Sequence, residues 1–219
     1  MSKSRSSMFL AVLNLLGFLG VLVVNALANA LPINGITTGE LSDLYPNLFV
    51  PAGLTFSIWG VIYVLLALFI VFQIISVIKR SAQGLAFTGR IGIFFFISCI
   101  ANMGWIFAWH YRILTLSLVI MLLLLGSLIT IYIRLRIGRS GASKSERYMV
   151  HLPFSVYLGW ITIATIANVT ALLVDAGWNN FGLSGQFWAV LVIAIGIAIT
   201  LIVLSIRRDV FYALVVDWA

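Results

Sequence analysis

The sequence predicts an all-α protein, a polytopic transmembrane helical bundle with six spans and the start of a seventh. Of its 219 residues, 63% are hydrophobic and only 9% are charged, and the mean hydropathy is +1.16. Soluble domains carry roughly 25% charged residues, so this composition excludes a water-soluble enzyme. The apolar residues form long charge-free runs, and Lys and Arg fall between them. This is the pattern of topology signals rather than of a nucleic-acid-binding surface.

Six apolar runs are long enough to span a membrane, because a bilayer core about 30 Å thick needs roughly 20 helical residues. They are Met8–Ala30, Gly53–Ile78, Ile91–Trp109, Ile113–Ile133, Met149–Val174 and Phe187–Ile206. The first run is too long for the apolar region of a signal peptide and is followed by further spans. The last apolar piece, Val210–Ala219, is too short to cross. It either lies along the interface or begins a seventh helix of a longer protein, and we favour the second.

The positive charges predict the orientation. If the six helices alternate in direction, all of the 13 Lys and Arg residues except Arg112 fall on one side of the membrane. Glu40, Asp43 and Asp175 fall on the other side. Cytoplasmic loops carry an excess of Lys and Arg. We therefore expect an integral protein of a prokaryotic plasma membrane with its N-terminus in the cytoplasm.

The outer loop Leu31–Ala52 is long for a connection within a compact domain, and long loops are usually functional or disordered. Its turn-forming and candidate capping residues are Pro32, Pro46, Pro51, Asn34 with Gly35, and Ser42 or Asp43. We interpret the loop as a shaped lid over the bundle. A plain surface loop is the alternative.

Four helices carry Asn, Trp or Tyr at helical spacing, which places each set on one inward face. These stripes are Asn14, Asn25 and Asn29 in the first helix, Trp59 and Tyr63 in the second, Asn102, Trp105 and Trp109 in the third, and Trp160, Ala164 and Asn168 in the fifth. In one interpretation, Asn side chains hold the helices together and the aromatics form an interfacial belt. In the other, the stripes wall a pocket for a flat, apolar ligand. Trp160 lies near the middle of its predicted span, whereas the residues of an interfacial belt lie near the ends of a span.

Catalytic and metal-binding patterns are absent from the sequence. His110 and His151 fall at opposite faces of the membrane, so they cannot share a metal, and each is expected at the interface. No Lys or Arg interrupts a predicted span, and Cys99 is the single cysteine. We therefore expect a protein that is not an enzyme and requires no cofactor.

Three motifs resemble the TspO/translocator-protein family, also called tryptophan-rich sensory proteins. They are Pro51 with Trp59 and Tyr63 at the entry to the second helix, Asn102-Met-Gly-Trp105 followed by Trp109 in the third, and Tyr157-Leu-Gly-Trp160 followed by Asn168 in the fifth. The motifs occur in the family's order and cover about residues 48–168. The sequence departs from the family pattern at Leu48, where the family carries Trp, and in its sixth helix. It therefore resembles a divergent, extended branch.

The resemblance implies a five-helix core over about residues 8–175, with extra C-terminal helices over 187–219, in a single integral membrane domain of residues 1–219. Family members bind porphyrins and, in animals, cholesterol and synthetic ligands, inside the bundle beneath the first loop. The ligand-site residues that it implies here are Pro51, Trp59, Tyr63, Asn102, Trp105, Trp109, Tyr157, Trp160 and Asn168.

We therefore expect an integral membrane binding or sensory protein for a hydrophobic small molecule. A tetrapyrrole such as porphyrin or haem is favoured, and transport of that molecule is a further role. Two alternatives stay open. One is a secondary transporter of a small neutral or hydrophobic solute, and the other is a structural or assembly protein whose aromatics only pack. The expected partners are the lipid bilayer, the ligand and a second copy in a homodimer, with no nucleic acid.

Overall fold

The computed structural model describes residues 3–31 and 33–219, and within those ranges it is an α-helical bundle without strands. Pro32 and the side chain of Lys3 lie outside the described residues. The helices are α1 (Lys3–Ala30), α2 (Thr38–Asp43), α3 (Ile58–Ile78), α4 (Ala82–Ile91), α5 (Phe94–His110), α6 (Leu114–Leu135), α7 (Lys144–Asp175), α8 (Gly185–Arg207) and α9 (Val210–Trp218). Turns of 3-10 helix lie at Ile33–Gly35, Gly53–Ser57 and Asn180–Gly182. The predicted fold class is confirmed.

Five of these helices are long and apolar enough to cross a membrane: α1, α3 with the turn before it, α6, α7 and α8. The remaining predicted span corresponds to α4 and α5, which meet at an angle of 47°. We predicted one helix from Ile91, whereas α4 begins at Ala82, because the Ser81 hydroxyl caps it by accepting from the Gly84 N–H at 3.0 Å. The break falls at Gly92, whose φ of +58° favours glycine.

The helix α7 extends beyond its predicted start at Met149. It begins at Lys144, where the Ser143 hydroxyl accepts from the Glu146 N–H at 3.2 Å, and it contains a π turn at 147–151. Glu146 is buried, and its carboxylate lies 3.8 Å from the Arg90 guanidinium. A charged residue can enter the bundle here because a partner on α4 offsets its charge, which hydropathy alone does not reveal.

Five helices form a closed ring around the core, in the order α1, α3, α7, α6 and α5, with α5 packing back on α1. Phe69, Phe95 and Phe154 meet edge to face at its centre, with ring centroids 5.1 to 5.8 Å apart. All three are fully buried. On the opposite side of the ring, Gly17 lets α1 approach α5, since a Cβ there would stand 3.1 Å from the Cβ of Cys99.

The C-terminal helix α9 packs along α7. Asp209, at its start, is buried and accepts hydrogen bonds from the hydroxyls of Tyr132 at 2.8 Å and Ser155 at 2.7 Å. A Cβ at Gly159 would stand 3.0 Å from the Tyr212 carbonyl oxygen. The glycine on α7 therefore permits the close approach of α9.

The helix α8 stands outside the ring. Gly196 is its one buried residue, and among the helices it packs chiefly on α9. Many of its large apolar side chains are exposed, which in a membrane protein means contact with lipid.

Candidate functional site

The outer loop folds over one end of the ring, which we call the lid end; the end that carries Arg90, Arg134 and Arg207 is the basic end. Within the loop, Thr37 starts α2 with a capping box. Its hydroxyl accepts from the Glu40 N–H at 3.3 Å, and the Glu40 carboxylate accepts from the Thr37 N–H at 2.9 Å. The backbone N–H of Thr37, together with its hydroxyl, which also donates to the carboxylate at 2.7 Å, holds the pKa of Glu40 below its ordinary value of 4.5. The predicted cap at Ser42 or Asp43 is wrong, because both residues lie in the last turn of α2.

Two hydrogen bonds tie the loop to the end of α5. The Asn34 side-chain amide donates to the His110 carbonyl at 3.0 Å, and the Trp109 indole N–H donates to the Thr38 carbonyl at 3.4 Å. Both bonds use a side chain on one partner and backbone on the other. The loop is therefore fixed as a cover over the lid end.

Beneath this cover, four Trp side chains from three helices surround one small cavity, the aromatic cavity. Trp105 and Trp109 of α5 stack with centroids 5.7 Å apart, and Trp59 of α3 meets Trp160 of α7 edge to face at 6.0 Å. The other walls are Ser42, Pro51, Phe56, Ala164, Ala167 and Asn168. The cavity volume is about 30 Å³, the space of roughly one water molecule.

Most of the predicted site residues line this cavity, namely Pro51, Trp59, Trp105, Trp109, Trp160 and Asn168. Tyr63, Asn102 and Tyr157 are not part of its walls. Tyr63 stacks on the far side of Trp59 with centroids 5.6 Å apart, and Asn102 donates to the Tyr157 hydroxyl at 3.2 Å. These three residues support the walls from behind.

Our sequence-based site set omitted Phe56 and Ala167. Phe56 packs edge to face on Trp160 with centroids 5.9 Å apart. Its position three residues before Trp59 is the signal that helical spacing offered. Ala167 lies three residues after Ala164 on the same face of α7, and these two small side chains leave the space that the rings enclose.

The cavity walls carry no charged side chain among the residues described. Trp109 donates its indole N–H to Thr38, and Asn168 pairs with the Ser117 hydroxyl at 3.0 Å. The indole N–H groups of Trp105 and Trp160 are buried, and neither has a hydrogen-bond partner within the described ranges. The arrangement offers aromatic faces together with two unused donors.

The Asn residues of the first stripe behave differently from one another. Asn25 is buried and donates to the Asn102 side chain at 2.8 Å, and Asn14 is buried and donates to the Gln73 side chain at 3.2 Å. The predicted inward position of Asn29 is wrong. It is exposed near the end of α1, and its side-chain amide donates to the Asn25 carbonyl of its own helix at 2.9 Å.

The two histidines lie at opposite ends of the bundle, as expected, and both side chains are buried within the protein. The Nδ1 of His110 lies 2.8 Å from the Ile106 carbonyl oxygen, and the Nε2 of His151 lies 3.7 Å from the Glu146 carboxylate. The part of the chain that the structure describes holds no group of three His, Cys, Asp or Glu residues arranged to bind a metal ion.

Comparison with known proteins shows that the chain matches a family whose description is TSPO-like protein. Its sequence model matches residues 11–219, nearly the whole chain, so the match includes α8 and α9 as well as the ring. No curated protein and no solved structure matches the chain.

Proposed function

Because the chain belongs to the TSPO-like protein family, we propose that it binds a flat, hydrophobic small molecule, with a tetrapyrrole as the favoured class, in a sensory role that extends to transport. The chain is an integral membrane protein of this family. The observation that carries the proposal is the convergence of four Trp side chains from α3, α5 and α7 on one cavity beneath the folded loop. Aromatic walls with a few polar groups are typical of sites for flat, apolar ligands.

The two unused indole donors favour a ligand with hydrogen-bond acceptors. A buried donor without a partner costs about 1–3 kcal/mol. An acceptor on the ligand removes that cost at Trp105 and Trp160 at the moment of binding. A porphyrin supplies both features, since its macrocycle is flat and apolar and its propionate groups are acceptors.

The aromatic cavity has to enlarge to take such a ligand. Ligand pockets have volumes of about 300–1,000 Å³, whereas this cavity measures about 30 Å³. The loop rests on α5 through hydrogen bonds at Asn34 and Trp109. Displacement of the loop exchanges those two bonds for contacts with the ligand, so we expect the loop to move when the ligand binds.

We propose binding rather than catalysis, since the family is generally non-enzymatic and the described walls of the cavity contain no charged side chain. We also propose that the basic end faces the cytoplasm of a prokaryotic cell, following the excess of Lys and Arg there. A homodimer and the absence of a required cofactor remain predictions.

Titration of the detergent-purified protein with protoporphyrin IX, followed by porphyrin absorbance, tests the proposal. Saturable binding is expected, and Trp59→Ala and Trp160→Ala should each weaken it by about tenfold or more, equivalent to about 1.4 kcal/mol. Phe9→Ala is the control, because that ring is 59% exposed on α1 and does not line the cavity. An absence of saturable binding to folded wild-type protein would contradict the proposal.

A structural role is the second candidate, and one observation favours it: the indole rings nearly fill the space that they enclose. If the aromatics only pack, Trp59→Ala and Trp160→Ala should prevent folding or membrane insertion, and the wild type should not bind protoporphyrin IX. Retention of folding and insertion with a loss of binding would exclude this candidate. Flux of the ligand in proteoliposomes would separate transport from binding alone.

A further inference from the structure

Three cavities follow one another beneath the outer loop. The outer cavity, of about 570 Å³, lies between the loop at Pro46–Phe49, the end of α7 and the start of α8. The middle cavity, of about 360 Å³, lies next to it between the loop, α7 and the centre of α8. The two share Leu48, Phe49 and Val192 as walls. The middle cavity in turn shares Pro51 with the aromatic cavity, so each cavity has a wall in common with the next.

The outer cavity lies where α8 stands away from α7. A Cβ at Gly196 would touch Ile163 of α7 at 3.7 Å, and a Cβ at Gly185 would touch Leu48 of the loop at 3.8 Å. Between these two points of contact lies the outer cavity. Trp178 and Trp188 line it, with ring centroids 4.7 Å apart. A flat, apolar molecule in the bilayer therefore meets aromatic faces before it meets the ring of five helices.

The alternative route, from water through the lid end, is blocked by the loop until a ligand displaces it. The hydrogen bonds from Asn34 to His110 and from Trp109 to Thr38 fasten the loop directly above the Trp105 and Trp109 rings. Transfer of an apolar molecule from lipid to a buried aromatic site also gains nothing from a passage through water, where its surface would have to be hydrated.

We propose that the gap between α7 and α8 is a lateral portal, through which a flat hydrophobic ligand moves from the bilayer into the outer cavity and then past Pro51 into the aromatic cavity. This inference rests on the proposed function, since it uses the same ligand class. The outer cavity has the volume of a ligand pocket, about 300–1,000 Å³, whereas the aromatic cavity does not. The outer cavity is therefore the first binding position, and Pro51 is the wall that must move.

The portal can be narrowed without touching the aromatic cavity. Ala189 of α8 is half-buried and lines the outer cavity, whereas its neighbour Val190 is 68% exposed and does not. Ala189→Phe therefore fills the portal, and Val190→Phe adds a large apolar group to the same helix on the lipid side as a matched control. Thr170→Phe fills the same cavity from α7, with Val169→Phe as its control, should the first pair fold poorly.

The test measures association and dissociation rates of protoporphyrin IX by stopped flow, with the protein in phospholipid nanodiscs. A narrower portal raises the barrier between free and bound ligand without changing the stability of either state. The association and dissociation rates therefore fall by the same factor. We expect Ala189→Phe to slow association and dissociation about tenfold each, with an unchanged Kd, and Val190→Phe to behave as wild type. Thr170→Phe should act as Ala189→Phe does.

Each other outcome overturns the portal in a different way. Unchanged rates in both filled variants would show that the ligand enters elsewhere. A raised Kd with faster dissociation would show that the outer cavity is the final binding site. If wild-type protein in the same nanodiscs does not bind protoporphyrin IX, the proposed function fails, and the portal for this ligand fails with it. The first two outcomes leave the proposed function intact, so the two failures are distinguishable.

Discussion

Trp160 and Trp109 face the same cavity, but their indole N–H groups are in different states. Trp109 donates to the Thr38 carbonyl, whereas the Trp160 N–H is buried and has no partner among the described residues. Both rings contribute similar apolar surface, since both are buried. We therefore expect the indole N–H of Trp109 to contribute to the stability of the fold, and the indole N–H of Trp160 to contribute to ligand binding.

Replacement of each Trp by Phe should expose this difference. Trp109→Phe removes a hydrogen bond and should lower the free energy of unfolding by about 1 kcal/mol more than Trp160→Phe, which removes none. Trp160→Phe should weaken protoporphyrin IX binding more, because it removes a donor that only the ligand uses. Thermal unfolding and porphyrin titration of both variants check the prediction. Equal effects on affinity would contradict a role for the free donor.

At the scale of single elements, α2 is a short helix that depends on its cap. Six residues form too few internal hydrogen bonds to be stable alone. The capping box of Thr37 and Glu40 supplies the missing partners and joins α2 to the loop that covers the aromatic cavity. The charge state of Glu40 should therefore affect the cover.

The pKa of Glu40 is lowered by hydrogen bonds from Thr37, which stabilise the ionised carboxylate. For a lowered pKa, the stabilisation is present above the ordinary value of 4.5 and is lost as the pH falls through the folded-state pKa. Hydrogen exchange of the α2 amides should accelerate in that acidic range relative to the amides of α3. Glu40→Gln should abolish the pH dependence, and an unchanged profile in that variant would contradict the assignment.

The helix α9 depends on Gly159. In Gly159→Ala the new methyl group would press on the Tyr212 carbonyl, a backbone atom that cannot rotate away, and on Val215. We expect the variant to lose about 1–3 kcal/mol of stability, seen as a lower Tm in detergent. Gly126→Ala on α6 is the control, because nothing lies within 4 Å of a Cβ there. A Tm equal to that of the wild type would mean that α9 can shift without cost.

At the scale of the whole molecule, the sequence predicted the five long apolar spans and much of the aromatic cavity because both follow from period and length, whereas the remaining predicted span is the bent pair of α4 and α5. Trp160 and Asn168 share a face of one helix, and the structure indeed brings both to the cavity. Tyr63 lies on the predicted inward side as well, but stacks behind Trp59. Helical spacing predicts which way a side chain points, but it does not predict whether a neighbouring side chain lies between it and the cavity.

The parts that the sequence did not reveal depend on contacts between distant residues. The path of α9 follows from the hydrogen bond of Tyr132 to Asp209, which lies 77 positions later in the chain. The early start of α7 follows from the pairing of Glu146 with Arg90. In each case a polar residue is tolerated inside the bundle because of a partner that periodicity cannot identify.

The orientation of the whole bundle follows from its charges, and labelling can test it. The basic end collects Arg and Lys residues, so it should face the cytoplasm and the folded loop should face outward.

Cys99 is buried, so a new cysteine is the only accessible one among the described residues. In intact cells, Asn34→Cys should react with a membrane-impermeant maleimide, and Ser143→Cys should react only after the membrane is permeabilised. Both positions are exposed in the folded protein, so a lack of reaction reflects the membrane and not burial. The reverse pattern would place the loop in the cytoplasm and the portal in the other leaflet.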